Sequence, residues 1–292
     1  MRELGSILSG VVTAGAVLVL AACTGVVAPP AATAVPDASP TASVVAEAAT
    51  ADGAEFIIEL TDDSQVMPAT LPAGTRRIVA RNTGQEWHAV IIRRLNEGVT
   101  PEQFAAAFAE DPFGSLALTT QLGGPDVAPG ASAAGYFQFQ PGAYALVDNA
   151  TAPPRFVPFA VDASTQADAQ PPAATVTVEM KEHEFVMPAE IKAGPQWWQF
   201  SNTGQNPHQM GIVKLAADKT LDDVIAWSET EEGPEPVEWV AFWNVMSPGM
   251  TSWGELDVPA GTYWVLDFLP DLTAEGAPNL ALGMAKEITV TE

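Results

Sequence analysis

The sequence predicts an all-β protein of two tandem β-sandwiches, each carrying one short inserted helix. Three observations lead there. First, Val66-Met67-Pro68-Ala69, Ala73-Gly74, Asn82-Thr83-Gly84-Gln85 and His88 recur 120 residues later as Val186-Met187-Pro188-Ala189, Ala193-Gly194, Asn202-Thr203-Gly204-Gln205 and His208. Thirteen of the thirty positions from 66 to 95 are identical to their partners, so each copy is one structural unit and the two histidines share one structural site. Second, Thr175 to Met180 alternates with period two, while Trp197-Trp198-Gln199-Phe200 and Tyr263-Trp264-Val265-Leu266 are aromatic or β-branched runs bounded by Gly or Pro. Third, turn signals are frequent and helical patterning is confined to one segment per unit.

In chain order, Met1 to Ala22 reads as a secretory signal, with Arg2 near its start and an apolar, small-residue core from Ile7 to Ala22. That core is shorter than the roughly 20 residues a membrane-spanning helix needs. It ends Leu20-Ala21-Ala22-Cys23, which resembles the lipobox of bacterial lipoproteins. The resemblance implies that Cys23 carries acyl chains of the palmitate type, becomes the first mature residue, and holds the protein on the extracytoplasmic or periplasmic side of the cell membrane. Cys23 is also the only cysteine, which excludes an intramolecular disulfide and, once acylated, a thiolate metal site. Residues 23–52 are Ala, Val, Thr, Pro and Ser with few charges, a tether too poor in large apolar side chains to fold. The first domain is expected over 53–165, a linker containing Pro171-Pro172 over 166–174, and the second domain over 175–292. Each domain is long enough to bury a core of its own.

Within the first unit, Thr100-Pro101-Glu102-Gln103 has the form of a capping box with proline at the first helical position, followed by Phe104 and Phe108 on one face. The counterpart starts at Thr220, with Asp223 reciprocal to it and Leu221, Val224 and Ile225 apolar. The repeat then resumes at a spacing of 119: Pro129-Gly130, Gly135, Gly142, Tyr144 and Asp148 match Pro248-Gly249, Gly254, Gly261, Tyr263 and Asp267. The copies diverge after the aspartate, where the second takes about ten more residues to reach its closing strand. The eight tryptophans read as core and loop packing, and His183, in a Lys-Glu-His-Glu run, as an exposed strand residue.

The net charge of −24 disfavours nucleic acid and anionic lipid headgroups as partners. Glu229, Glu231, Glu232, Glu235 and Glu238 lack the Asp, Asn and Gly pattern of a calcium loop and read as a solvated acidic segment.

An Asn-x-Gly-x-x-x-His ending an early strand, a Pro-Gly turn, then Gly261-Thr262-Tyr263 leading to Asp267, with Asn279 and Gly283-Met284 beyond, resembles the cupredoxins, the plastocyanin and azurin relatives. The resemblance covers nearly all of both repeats and implies a Greek-key sandwich for each. It places His208 at the first copper histidine, Met284 at the axial methionine, Asp267 where the copper cysteine would stand, and Asn279 where the second histidine would stand. The missing thiolate is the ligand that defines a type 1 site. In the first unit, His88 and Asp148 form the equivalent residual site, and the segment from Asp148 to Asp162 holds neither His nor Met.

The expected function is therefore a lipid-anchored binding or structural protein without cofactor, whose partner is an unidentified protein or small molecule. The alternative is copper handling in the second unit by His208, Met284, Asp267 and Met210. Catalysis is not expected. Multicopper oxidases and copper nitrite reductases, which also pair cupredoxin domains, build their further centres from many histidines, and this chain has three. No nucleophile elbow occurs in the mature sequence, Ser132 lying in a Gly130-Ala131-Ser132-Ala133-Ala134-Gly135 loop, and no phosphate-binding glycine loop is present.

Overall fold

The computed structural model describes residues 55–164, 166–230, 232–271, 273–274 and 276–292. The signal, Cys23 and the tether lie outside the described residues. The first unit contains β1 (Glu55–Thr61), β2 (Ser64–Val66), β3 (Thr70–Pro72), β4 (Gly74–Asn82), β5 (His88–Ala89) and β6 (Ile91–Leu95). It continues with α1 (Pro101–Glu110), β7 (Thr119–Gly123), β8 (Asp126–Val127), β9 (Ser132–Phe139), β10 (Gly142–Asp148) and β11 (Arg155–Asp162). The second contains β12 (Val176–Lys181), β13 (Glu184–Val186), β14 (Glu190–Lys192), β15 (Gly194–Asn202) and β16 (His208–Leu215). Then come α2 (Leu221–Thr230), β17 (Val237–Met246), β18 (Thr251–Val258), β19 (Gly261–Leu266) and β20 (Ala285–Thr291). Each unit is a sandwich of two mixed sheets in which β1 runs parallel to β4, and β12 to β15, so the chain crosses between layers before pairing.

Burial follows the pleat where one face is wet and departs from it where a helix covers the second face. In β12 and β18 buried and accessible residues alternate. In β10 the last five residues are all buried. Tyr144 and Leu146 enter the central core, and Ala145 and Val147 pack on the other side against Phe104 and Phe108 of α1. That helix begins where the capping box puts it: Gln103 N donates to Thr100 Oγ1 at 3.2 Å and Thr100 N to Gln103 Oε1 at 2.9 Å. In α2, Asp223 Oδ2 accepts from Thr220 N at 2.8 Å and Asp223 N donates back to Thr220 Oγ1 at 3.3 Å. No helix among the described residues is long and apolar enough to cross a membrane.

Both sheets run through the two units without interruption. One has the order β13-β12-β15-β18-β9-β4-β1-β2, the other β14-β20-β19-β16-β17-β7-β6-β10-β11-β3. At the β9–β18 seam Gly135 pairs with Gly254, its own counterpart in the repeat, so the junction has local two-fold character. Glycine is required there: a Cβ on Gly254 would lie 2.1 Å from the Trp243 ring, and one on Gly135 2.8 Å from Phe137. Trp243 is fully buried, stacks on Phe200 with centroids 4.3 Å apart, and donates from Nε1 to Ser252 Oγ at 3.1 Å. Such stacking adds about 0.5–1.5 kcal/mol beyond the area buried. One apolar cluster extends from Phe56 and Ile58 of the first unit to Phe200 and Val265 of the second.

Candidate functional site

The repeated Asn-Thr-Gly-Gln loop is built around its asparagine. Asn202 is buried, donates from Nδ2 to Asn206 O and Met246 O at 2.8 Å each, and accepts from Gly204 N at 3.0 Å. Asn82 makes the equivalent bonds to Glu86 O at 2.8 Å, Val127 O at 3.0 Å and Gly84 N at 2.8 Å. A buried side chain with its bonds satisfied fixes the loop, and the loop delivers the histidine to the first position of the next strand.

There each histidine meets an aspartate, Asp148 at the end of β10 or Asp267 one residue past β19. His208 Nδ1 donates to Asp267 Oδ2 at 2.8 Å and His88 Nδ1 to Asp148 Oδ2 at 2.7 Å, with all four side chains excluded from solvent. Asp267 Oδ2 also accepts from Asn279 Nδ2 at 3.0 Å, and Oδ1 from Leu269 N at 2.9 Å. Asp148 Oδ1 accepts from Ala89 N at 2.9 Å and Ala150 N at 3.1 Å. Burial pushes the Asp267 carboxyl above the ordinary carboxylate range, opposed by the bond from His208 and by backbone donors. The structure thus brings His208, Asp267 and Asn279 onto one oxygen.

Sequence reasoning missed the group on the other side of each ring. Glu182 Oε1 lies 3.9 Å from His208 Nε2, and Asp62 Oδ1 3.8 Å from His88 Nε2. Neither Nε2 has a hydrogen-bond partner, although both are buried. Asp62 and Glu182 also clamp the loop, accepting from Gln85 N at 2.7 Å and Asn206 N at 3.0 Å respectively. Backbone donors from Glu86 and Gln85 hold Asp62 below its ordinary value; in Glu182 burial pushes upward, but the backbone bonds from Gln205 and Asn206 prevail and the net shift is down. The signal was available as an acid 120 residues from an acid in the turn after the first strand of each unit. Asp126 was also missed. Its Oδ1 accepts from Asn244 Nδ2 of the second unit at 2.8 Å; burial pushes its carboxyl up to about 7, opposed by that bond and helped by the nearby Asp148 charge.

Met210 and Met284 are fully buried within the central apolar cluster. His183 corrects the expectation of an exposed strand residue: it sits in the β12–β13 turn at φ 60° and bonds through Nε2 to the buried Asp271 at 2.9 Å. A lone acidic partner buried at a distance of 88 residues leaves no trace in local patterning. The two residual sites are covered unequally. Phe113 and Leu116 of the first unit close on Pro207 and Leu269 beside His208, leaving a crevice of about 30 Å³, whereas Trp87, where the second unit has Pro207, is 52% exposed.

The Asp267 carboxylate has its oxygens bonded to His208, Asn279 and the Leu269 N–H, and the Asn279 amide donates to that carboxylate. Among the described residues, no three His, Cys, Asp or Glu side chains group in metal-holding geometry.

No protein-family model matches the sequence, and no curated protein matches it. Among solved structures, auracyanin A, a "blue" copper protein from Chloroflexus aurantiacus, is similar at 18% identity over 40% of this chain and 98% of its own, with TM-score 0.30. Auracyanin from Roseiflexus castenholzii is 21% identical over 41% of this chain and 100% of its own, with TM-score 0.30. A copper nitrite reductase from Nitrosomonas europaea is 14% identical over 82% of this chain and 94% of its own, with TM-score 0.25. Both units are all-β sandwiches.

Proposed function

We propose that this is a lipid-anchored, extracytoplasmic binding or structural protein whose two cupredoxin-like units lack type 1 copper. The observation that supports it is that His208 Nδ1 and Asn279 Nδ2 both bond to Asp267 Oδ2, so the side chains at three of the four ligand positions of the resemblance are tied through one carboxylate oxygen. Binding a metal there would break buried hydrogen bonds to a carboxylate, each worth about 1.5–3 kcal/mol, without a thiolate to repay them. With three histidines in the chain, no set for a further copper centre exists, which supports a non-catalytic role. The anchor is Cys23, and the membrane is reached through its acyl chains alone.

The test is metal content by mass spectrometry after exposure of the mature chain to Cu(II) and then Cu(I), followed by desalting. Retained copper well below one per chain is expected. Stoichiometric copper lost in His208→Ala and Met284→Ala would instead establish copper handling by His208, Met284, Asp267 and Met210.

A further inference from the structure

Where the two sandwiches join, a cavity of about 670 Å³ opens beside the β9–β18 seam, and the linker from Asp168 to Ala174 forms one of its walls. That volume lies in the range of small-molecule sites, about 300–1,000 Å³. We propose that it binds a neutral oligosaccharide, an inference that rests on the binding-module reading above and names its site and ligand class.

The cavity's chemistry sets it apart from the rest of the surface. On a chain of net charge −24 its lining carries one guanidinium, Arg94, and one carboxylate, Asp168, so its net charge is zero. Arg94 donates to the Gln140 side-chain carbonyl, and Asp168 Oδ1 accepts from Thr75 N at 3.0 Å. What remains is amide. Gln138 Oε1 accepts from Thr75 Oγ1 at 2.8 Å, and among the described residues the amino groups of Gln138 and Gln140 have no protein partner. Gln170 and Gln199 add two further amides to the lining, and the half-buried Trp253 supplies an aromatic surface. Amides offer donors and acceptors together, which suits adjacent hydroxyls, and an indole covers the apolar C–H face of a sugar ring.

Other ligand classes fit less well. An anion meets the repulsion of the whole molecule with Arg94 as the single cation of the lining to offset it, and a cation finds the one carboxylate of the lining, Asp168, already bonded to Thr75 N. An extended peptide would dock by adding a strand to a free edge, but β9 and β18 occupy each other's edges here.

The mature chain is titrated with cellohexaose, maltohexaose, mannohexaose and N-acetylchitohexaose, read by saturation-transfer NMR and tryptophan fluorescence. At least one should bind, with affinity weakened about tenfold or more in Gln138→Ala/Gln199→Ala. Trp253→Ala should remove the fluorescence response; because Trp253 pairs with Tyr136 across the seam, the glutamine variant, altering accessible strand positions, keeps the test valid if the tryptophan variant unfolds. Binding of none of the four sugars, or binding that the glutamine variant leaves unchanged, overturns the proposal. A neutral Gly/Ser/Gln decapeptide that binds in their place overturns the saccharide assignment and leaves the binding-module reading standing. Stoichiometric copper binding with no sugar or peptide bound overturns both.

Discussion

Replacing Asp126 with asparagine should stabilise the protein at and above neutral pH, by an amount that grows from about pH 4 to about pH 7 and then levels off. Asp126 is held between Asn244, which donates to it at 2.8 Å, and the charge of Asp148. Its carboxyl moves from an ordinary 3.8 up to about 7, chiefly through burial. A raised carboxyl means that the folded state keeps a proton that the unfolded state has released. The unfolded state therefore binds fewer protons between about pH 4 and 7, and stability falls as pH rises through that window. Three units at about 1.4 kcal/mol each bound the effect near 4 kcal/mol. Partial solvent access reduces it, so the gain at pH 8 over pH 5 should be about 2 kcal/mol. Asparagine keeps an acceptor for Asn244 and carries no charge. Carboxylates with depressed values, such as Asp62 and Glu182, act in the opposite sense, but they are common to both proteins and cancel in the difference. The assay is urea unfolding of parent and Asp126→Asn, both with Cys23→Ser for solubility, at intervals from pH 5 to pH 8.5. Midpoints should separate as pH rises, with equal slopes. A variant less stable than the parent at pH 8, or a difference independent of pH, would refute the reasoning.

Other outcomes follow from the same structure. Trp243→Ala removes the fully buried ring that ties the seam together and should cost about 3–5 kcal/mol in urea unfolding, with Gly254→Ala costing about 1–3 kcal/mol by overpacking against that ring. The double variant Asp267→Cys/Asn279→His should give an intense thiolate-to-copper absorption with Cu(II), because both positions already converge with His208 on one point; silence in both absorption and electron paramagnetic resonance would mean that Met284 or the loop cannot complete the site. Cys23→Ser should move the protein from the membrane to the soluble fraction after signal cleavage, and retention on membranes would reveal a second anchor.

Much of the architecture was legible in the chain. Period-two alternation located β12, aromatic and β-branched runs located β15 and β19, the capping boxes at Thr100 and Thr220 located both helices, and the duplication located the His–Asp positions, because repeated spacing transfers one site onto the other. Asp62, Glu182 and Asp126 were not read because a single acid in a turn or a two-residue strand has no periodicity to betray it, and its partners are contributed from elsewhere in the chain.

By itself the sequence determined the buried face of strands wet on one side, such as β12, since alternation of apolar and polar side chains is a local property of the strand. It also placed Asp267 where the cupredoxin resemblance expects a copper cysteine. Only the tertiary structure decided which edges would meet. Every strand edge offers the same backbone donors and acceptors, so nothing in β9 or β18 alone specifies their union; that choice came from Gly135, Gly254 and the Trp243 ring fitting together in three dimensions. The union fused two sandwiches into shared sheets, and beside the seam it left the neutral cavity that neither unit possesses alone.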